Sequence, residues 1–228
     1  FKVGAYKIAS TDNNNIPLLS YIAKKRKPML ISTAMTNIDE IQITVNCVKK
    51  YIPNKFVLLQ CTGNYPSKNS ESNLKVMLNY KKKFNCLYGY SDHTLNFINP
   101  IAATALGASV YEKHFTLNKK MAGPDHRMSL SPNELKKTIK LIRDTEISLG
   151  IFEKKVLISE KENRKKLKKS LVSKFFIQKG KRLSKTMFEI KRPGTGLMPH
   201  KIYTISNYKA STSIKPDSIL KSKMIKKN

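Results

Sequence analysis

The chain has 228 residues and is 40% hydrophobic, enough to bury one substantial core and a small second one. Its 44 Lys and Arg against 15 Asp and Glu give a net charge of +29, yet the lysines run from Lys2 to Lys227 instead of clustering in one arm. That spread argues for a solvated surface and against a nucleic-acid partner, with attraction of anionic substrates or a polyanion-binding role as lesser readings. No apolar run approaches the ~20 residues of a membrane span. The opening FKVGAYKIAS reads as the approach to a strand and not as a signal peptide, and Cys47, Cys61 and Cys86 lack CxxC spacing, so reduced thiols in a cytoplasmic protein are expected.

Short β-type runs alternate with longer helical ones. AYKIAS (5–10), PMLIST (28–33), KFVLLQCT (55–62), LYGYSDH (87–93) and ASVYEKHF (108–115) read as strands. Between them lie IPLLSYIAKKR, NIDEIQITVNCVKKY, NLKVMLNYKKKF and NPIAATALGA. In the second of these, Ile38, Ile41, Val45 and Val48 recur at three- and four-residue steps, the period of a helix with one buried face. Such alternation implies an α/β fold with parallel strands and right-handed crossovers. A last long helix follows the fifth strand, with Ser131 as N-cap, Pro132 at N1, Glu134 at N3 and Gly150 at its end.

Residues 1–150 therefore read as a partial (β/α)8 barrel, 151–169 as a charged linker, and 170–228 as a small β-rich module. The commonest parallel barrel needs eight units. At ~30 residues per unit, three more would add roughly 90 to 110 residues before Phe1. An open doubly wound sheet stays possible on pattern alone, but it would want a glycine-rich phosphate loop, and neither GxGxxG nor GxxxxGK[ST] occurs.

In a parallel barrel, catalytic residues stand at the C-terminal ends of strands. Polar residues occupy all five ends here: Lys7 and Ser10; Ser32 and Thr33; Thr62, Asn64 and Tyr65; Ser91 to His93; Glu112 and His114. One such residue is most simply a cap or turn former, but five ends in register argue for a site. His93 and His114 fall on neighbouring strand ends, close enough to share a divalent ion such as Mn²⁺. One structural and one general-base histidine is the alternative. GPDH (123–126) reads as a turn that closes over the site or as an ordinary Asp-containing turn. RPGTG (192–196) reads as a stiff loop presenting Arg192 or as a plain β-turn. Cys61 has no evident histidine partner and reads as a core residue.

Together YKIAS, KPMLISTAM, LLQCTGNYP, GYSDHT, AATALGASVYEKHFTL, GPDHRMSL and KRPGTG resemble the sialic acid (N-acetylneuraminate) synthase family, with its legionaminate and pseudaminate relatives, in one order from about residue 5 onward. The resemblance implies the C-terminal five βα units of a (β/α)8 barrel followed by an antifreeze-like SAF domain. It implies condensation of phosphoenolpyruvate with an N-acetylated amino sugar, N-acetylmannosamine first and the legionaminate precursor second, with release of phosphate. Carried over by position, His93 and His114 match metal ligands, with Mn²⁺ expected and Mg²⁺ or Co²⁺ as alternatives. Lys7, Ser10, Ser32, Asn64 and Ser91 match phosphoenolpyruvate contacts. Tyr65, Asp125 and Asp12 match sugar-side positions, and Glu112 matches an active-site carboxylate. Arg192 matches an arginine that crosses into the partner's site in a domain-swapped homodimer.

Ala34 and Asn96 stand where the family commonly has Gly, and Asp12 where it often has Glu. The family's first strands carry a catalytic glutamate and phosphate-binding lysines with no counterpart here, so these residues alone are expected to be inactive. A reading of another class is a non-catalytic remnant whose basic surface binds polyanions.

Overall fold

Residues 2–228 are described by a computed structural model in which the alternating apolar runs become five strands. These are β1 (Tyr6–Ile8), β2 (Met29–Ser32), β3 (Phe56–Cys61), β4 (Leu87–Asp92) and β5 (Val110–Lys113). They pair in sequence order, and every pair is parallel. Helices α1 (Ile16–Ala23), α2 (Ile38–Lys49), α3 (Val76–Phe84) and α4 (Ile98–Ala105) make the crossovers, and α5 (Pro132–Leu149) follows β5. The result is half a barrel wall: one curved parallel sheet with helices on its outer face.

Side chains alternate across a strand, so each strand divides into two chemistries. The outer face sends Ile8, Met29, Ile31, Phe56, Leu58 and Tyr90 against Leu19, Val45, Val48, Met77, Tyr80 and Phe84 of the helices. The inner face carries Lys7, Ser32, Cys61, Ser91 and Glu112, with Cys61, Ser91 and Glu112 aligned by the ladder register. Helix α2 starts where Asn37 Oδ1 accepts the N–H groups of Asp39 and Glu40, while Glu40 accepts the N–H of Asn37 at 2.7 Å. Just ahead of α4, Asn96 Oδ1 accepts the N–H of Ile98 at 2.7 Å, a side-chain bond glycine cannot make.

At Gly89, β4 lies tight against its neighbours β3 and β5. A Cβ there would lie 2.2 Å from the carbonyl oxygen of Val110 and 2.8 Å from Leu59 Cδ2. Since backbone cannot yield as a flexible side chain does, Gly89→Ala is expected to cost about 1–3 kcal/mol. At about 2–4 °C per kcal/mol for a domain of this size, the melting midpoint should fall by several degrees in a thermal scan. An unchanged midpoint would show that β4 and β5 part freely.

Residues 151–228 form a second compact unit, divided from the first at Gly150. Strands β6 (Ser170–Ser173) and β7 (Phe188–Lys191) pair antiparallel, as do β8 (Tyr208–Ala210) and β9 (Ile225–Lys227). Leu171, Ile177, Leu183, Phe188, Ile205, Ile214 and Leu220 make their shared core. The segment expected to be a linker contains a short helix, α6 (Lys161–Leu167). The carbonyl of Lys165 accepts the N–H of Gly194 at 2.7 Å, and a Cβ on Gly194 would sit 2.4 Å from Lys168 Cβ. Backbone contact thus docks the 192–196 loop on α6, a helix with no buried side chain and therefore no apolar period to read. Among the described residues, no helix is long and apolar enough to cross a membrane.

Candidate active site

Lys7 projects from the inner face of β1. Its Nζ donates to Ser32 Oγ on β2 at 2.8 Å and to the Ile8 carbonyl at 2.9 Å, and lies 3.5 Å from Glu112 Oε1 on β5. From β4, Ser91 Oγ donates to the same Glu112 oxygen at 2.8 Å. Four strands thus contribute to one polar network, held by the parallel register. Lys7 and Glu112 side chains remain 37% and 36% exposed, so a ligand can reach both. An ammonium flanked by hydroxyls suits a phosphate or carboxylate. Ser10 Oγ accepts the N–H of Ala34 at 2.9 Å, fixing the turn after β2 against the turn after β1.

The imidazoles stand beside this network. His93 is buried, and its Nδ1 lies 2.7 Å from the Thr62 carbonyl, which fixes that nitrogen as the N–H donor and leaves Nε2 with a free lone pair. Burial pushes the His93 pKa below its ordinary value, with the Thr62 carbonyl opposing and His114 and Lys113 reinforcing the shift. Neutral imidazole, the ligating form, therefore prevails near neutral pH. The His114 ring is centred 5.3 Å from that of His93, and Tyr65 packs at 4.0 Å from His93 and 5.8 Å from His114. Asp125 Oδ2 lies 3.6 Å from His114 Nδ1.

Two convergent imidazoles, one with its tautomer set by a backbone carbonyl, fit a borderline divalent cation. Among the described residues no group of three His, Cys, Asp or Glu is drawn together as a ligand set. The protein's share would be two nitrogens, leaving positions open for water and substrate oxygens.

Other expected residues lie differently. Asn64 donates to Glu71 Oε2 at 3.3 Å, and Asp12 is half-buried in the turn Ser10–Asp12. Arg192 is exposed on the second unit. His126 lies apart from the imidazole pair, with Nδ1 2.7 Å from Thr116 Oγ1, and so anchors the loop that carries Asp125. Cys61 has a histidine neighbour that was not evident from sequence, Nδ1 of His93 at 3.8 Å. That nitrogen is committed to Thr62, and burial raises the Cys61 pKa, so the thiol is not activated. Asp92 faces the helices and joins Tyr111 and Lys113 rather than the site. A span of 32 residues hides the Cys61–His93 contact from sequence; the period-two alternation around Ser91 was a signal for the outward turn of Asp92.

The Asp125 loop is clamped at its far end. Lys119 Nζ pairs with Glu134 Oε1 at 2.7 Å, and the Ser131 N–H and hydroxyl both donate to Glu134 Oε2 at 2.8 Å. Lys119 first, then the Ser131 donors, hold the Glu134 pKa down to about 2. Because this folded pKa lies below the unfolded one, the stabilisation is full above about pH 4.5 and is lost as pH falls toward about 2. Glu134→Gln should lower the melting midpoint at pH 7 by a few degrees and flatten its acid dependence over that window. Parallel curves for both proteins would refute the clamp.

The sequence model of the NeuB family matches residues 1–154. The N,N'-diacetyllegionaminic acid synthase of Legionella pneumophila is 38% identical over 218 residues, which cover 94% of this chain and 61% of that protein. The N-acetylneuraminate-9-phosphate synthase of Mus musculus is 38% identical over 214 residues, covering 93% of this chain and 59% of that protein. The structure of the N-acetylneuraminic acid synthetase of Leptospira borgpetersenii, in complex with citrate, superposes with a TM-score of 0.66 at 33% identity, over 71% of this chain and 56% of that one. The chain thus spans about three fifths of the curated relatives' length. With a family match over the whole half-barrel that carries these residues, the chain belongs to the NeuB family.

Proposed function

We propose that these five strands belong to a (β/α)8 barrel that condenses phosphoenolpyruvate with an N-acetylated amino sugar and releases inorganic phosphate. The observation that carries the reading is the network of Lys7, Ser32, Ser91 and Glu112 directly beside the His93–His114 pair. Lys7, with the Ser10 and Ser32 hydroxyls, binds the phosphate and carboxylate of phosphoenolpyruvate, joined by Ser91, and Asn64 joins them only on leaving Glu71. Tyr65, Asp125 and Asp12 orient the sugar. His93 and His114 would hold a divalent ion, Mn²⁺ first, which would supply Lewis acidity toward the sugar aldehyde.

Carbon 3 of phosphoenolpyruvate then forms the new bond to the aldehyde carbon, and the positive charge left at carbon 2 is taken by water. Glu112, hydrogen-bonded by Ser91 and close to Lys7, holds that water or accepts its proton. The resulting tetrahedral centre expels phosphate, leaving a 2-keto acid, and Lys7 stabilises the departing anion. The second unit is the antifreeze-like domain in this reading, and Arg192 its contribution to the sugar site of a partner subunit.

N-acetylmannosamine is the leading sugar, giving N-acetylneuraminate. The 38% identity to a legionaminic acid synthase supports a second reading with a diacetamido sugar. The test joins the chain behind the first three βα units of the Legionella pneumophila relative and measures phosphate release with each sugar. Release with one sugar only assigns the substrate. No release with either, from a folded barrel holding Mn²⁺ and phosphoenolpyruvate, would falsify the proposal.

A further inference from the structure

Between the site residues of β4 and β5 lie two charges that point the other way. Asp92 and Lys113 are direct cross-strand partners in the parallel register, on the face opposite Ser91 and Glu112. The Asp92 side chain is fully buried and that of Lys113 is 5% exposed. Lys113 Nζ lies 3.4 Å from Asp92 Oδ2, and the Tyr111 hydroxyl donates to the same oxygen at 2.6 Å. Asp92 Oδ1 accepts the N–H of Thr94 at 2.8 Å, while Lys113 donates to the Thr94 carbonyl. Both charges are therefore satisfied, and both grip the backbone of Thr94, the residue directly after His93.

Such a pair is expensive to bury, and apolar residues of similar volume often serve packing equally well. What apolar residues lack is directional control. A slip of one residue between β4 and β5 would turn His93 toward the helices or offset it from His114, because side chains alternate along each strand. Here the pair ties Asp92 to Lys113 while flanking Ser91 and His93 on one strand and Glu112 and His114 on the other. We propose that the buried Asp92–Lys113 pair, braced by Tyr111, is a positioning device that holds the His93 and His114 imidazoles at their working separation. This rests on the reading of those two histidines as the metal-holding pair.

The decisive variant is Asp92→Leu/Lys113→Met, which removes both charges and leaves neither unpaired. It should still fold with a cooperative melt, lowered by several degrees because Thr94 and the Tyr111 hydroxyl lose their partners, yet bind Mn²⁺ about 10–100-fold more weakly by electron paramagnetic resonance titration, the usual loss when support behind a ligand is removed. The ¹H–¹⁵N signals of the His93 and His114 rings should also shift or broaden without metal. Tyr111→Phe, which keeps both charges, should show the same changes more weakly, with a several-fold loss of Mn²⁺ affinity. A double variant that unfolds marks the pair as a folding determinant and overturns the proposal. So does one that folds with parental Mn²⁺ affinity and unmoved ring signals. Should the parent itself bind no Mn²⁺, the metal assignment fails, and the ring signals alone decide whether the pair positions the histidines.

Discussion

His93→Ala and His114→Ala should each abolish Mn²⁺ binding to the chain and, in the completed barrel, reduce phosphate release by at least about 10³-fold. The magnitude follows from chemistry. Lewis-acid stabilisation of developing charge is worth several kcal/mol, and each 1.36 kcal/mol is about tenfold in rate. Neither substitution should disturb the fold, since the rings sit at strand ends outside the main apolar cluster. His93 is the more exacting of the two. Its Nδ1 is engaged by Thr62, so His93→Asn, which preserves a short donor but not Nε2, should be as defective as His93→Ala. Full phosphate release from either variant after chelator treatment would sink the metal assignment and return the histidines to proton transfer.

The strand ends were legible because two periods coincide. Alternation along each strand places Lys7, Ser32, Ser91 and Glu112 on one face, and parallel register places that face's C-terminal ends side by side. Helix α5 was legible down to its cap, since Ser131, Pro132, Glu134 and Gly150 are all local signals. What sequence could not give is contact across long chain separations. Thr62 fixing the His93 tautomer, Glu71 drawing Asn64 aside and Thr116 tethering His126 each depend on loop geometry that no residue pattern encodes. Helix α6 was missed for another reason: its docking uses the Lys165 carbonyl and the Cβ-free Gly194, neither of which leaves a hydrophobic stripe.

Arg192→Ala should raise the Michaelis constant for the amino sugar by roughly 10–100-fold while leaving that for phosphoenolpyruvate nearly unchanged. One or two charge-assisted hydrogen bonds to an acetamido carbonyl or sugar hydroxyl carry about that much free energy. Arg192 is exposed, on a loop that Gly194 pins to α6, so its guanidinium is displayed rather than spent on the unit's own core. If the arginine serves the partner's barrel, mixing completed Arg192→Ala chains with completed His114→Ala chains should restore turnover that neither parent shows at low sugar concentration. Each heterodimer then has one barrel with both histidines, the Arg192→Ala chain's own, and that barrel receives its arginine from the metal-deficient partner. Recovery should reach at most one working site per heterodimer. Heterodimers that form but recover nothing would mean that Arg192 serves its own barrel or none.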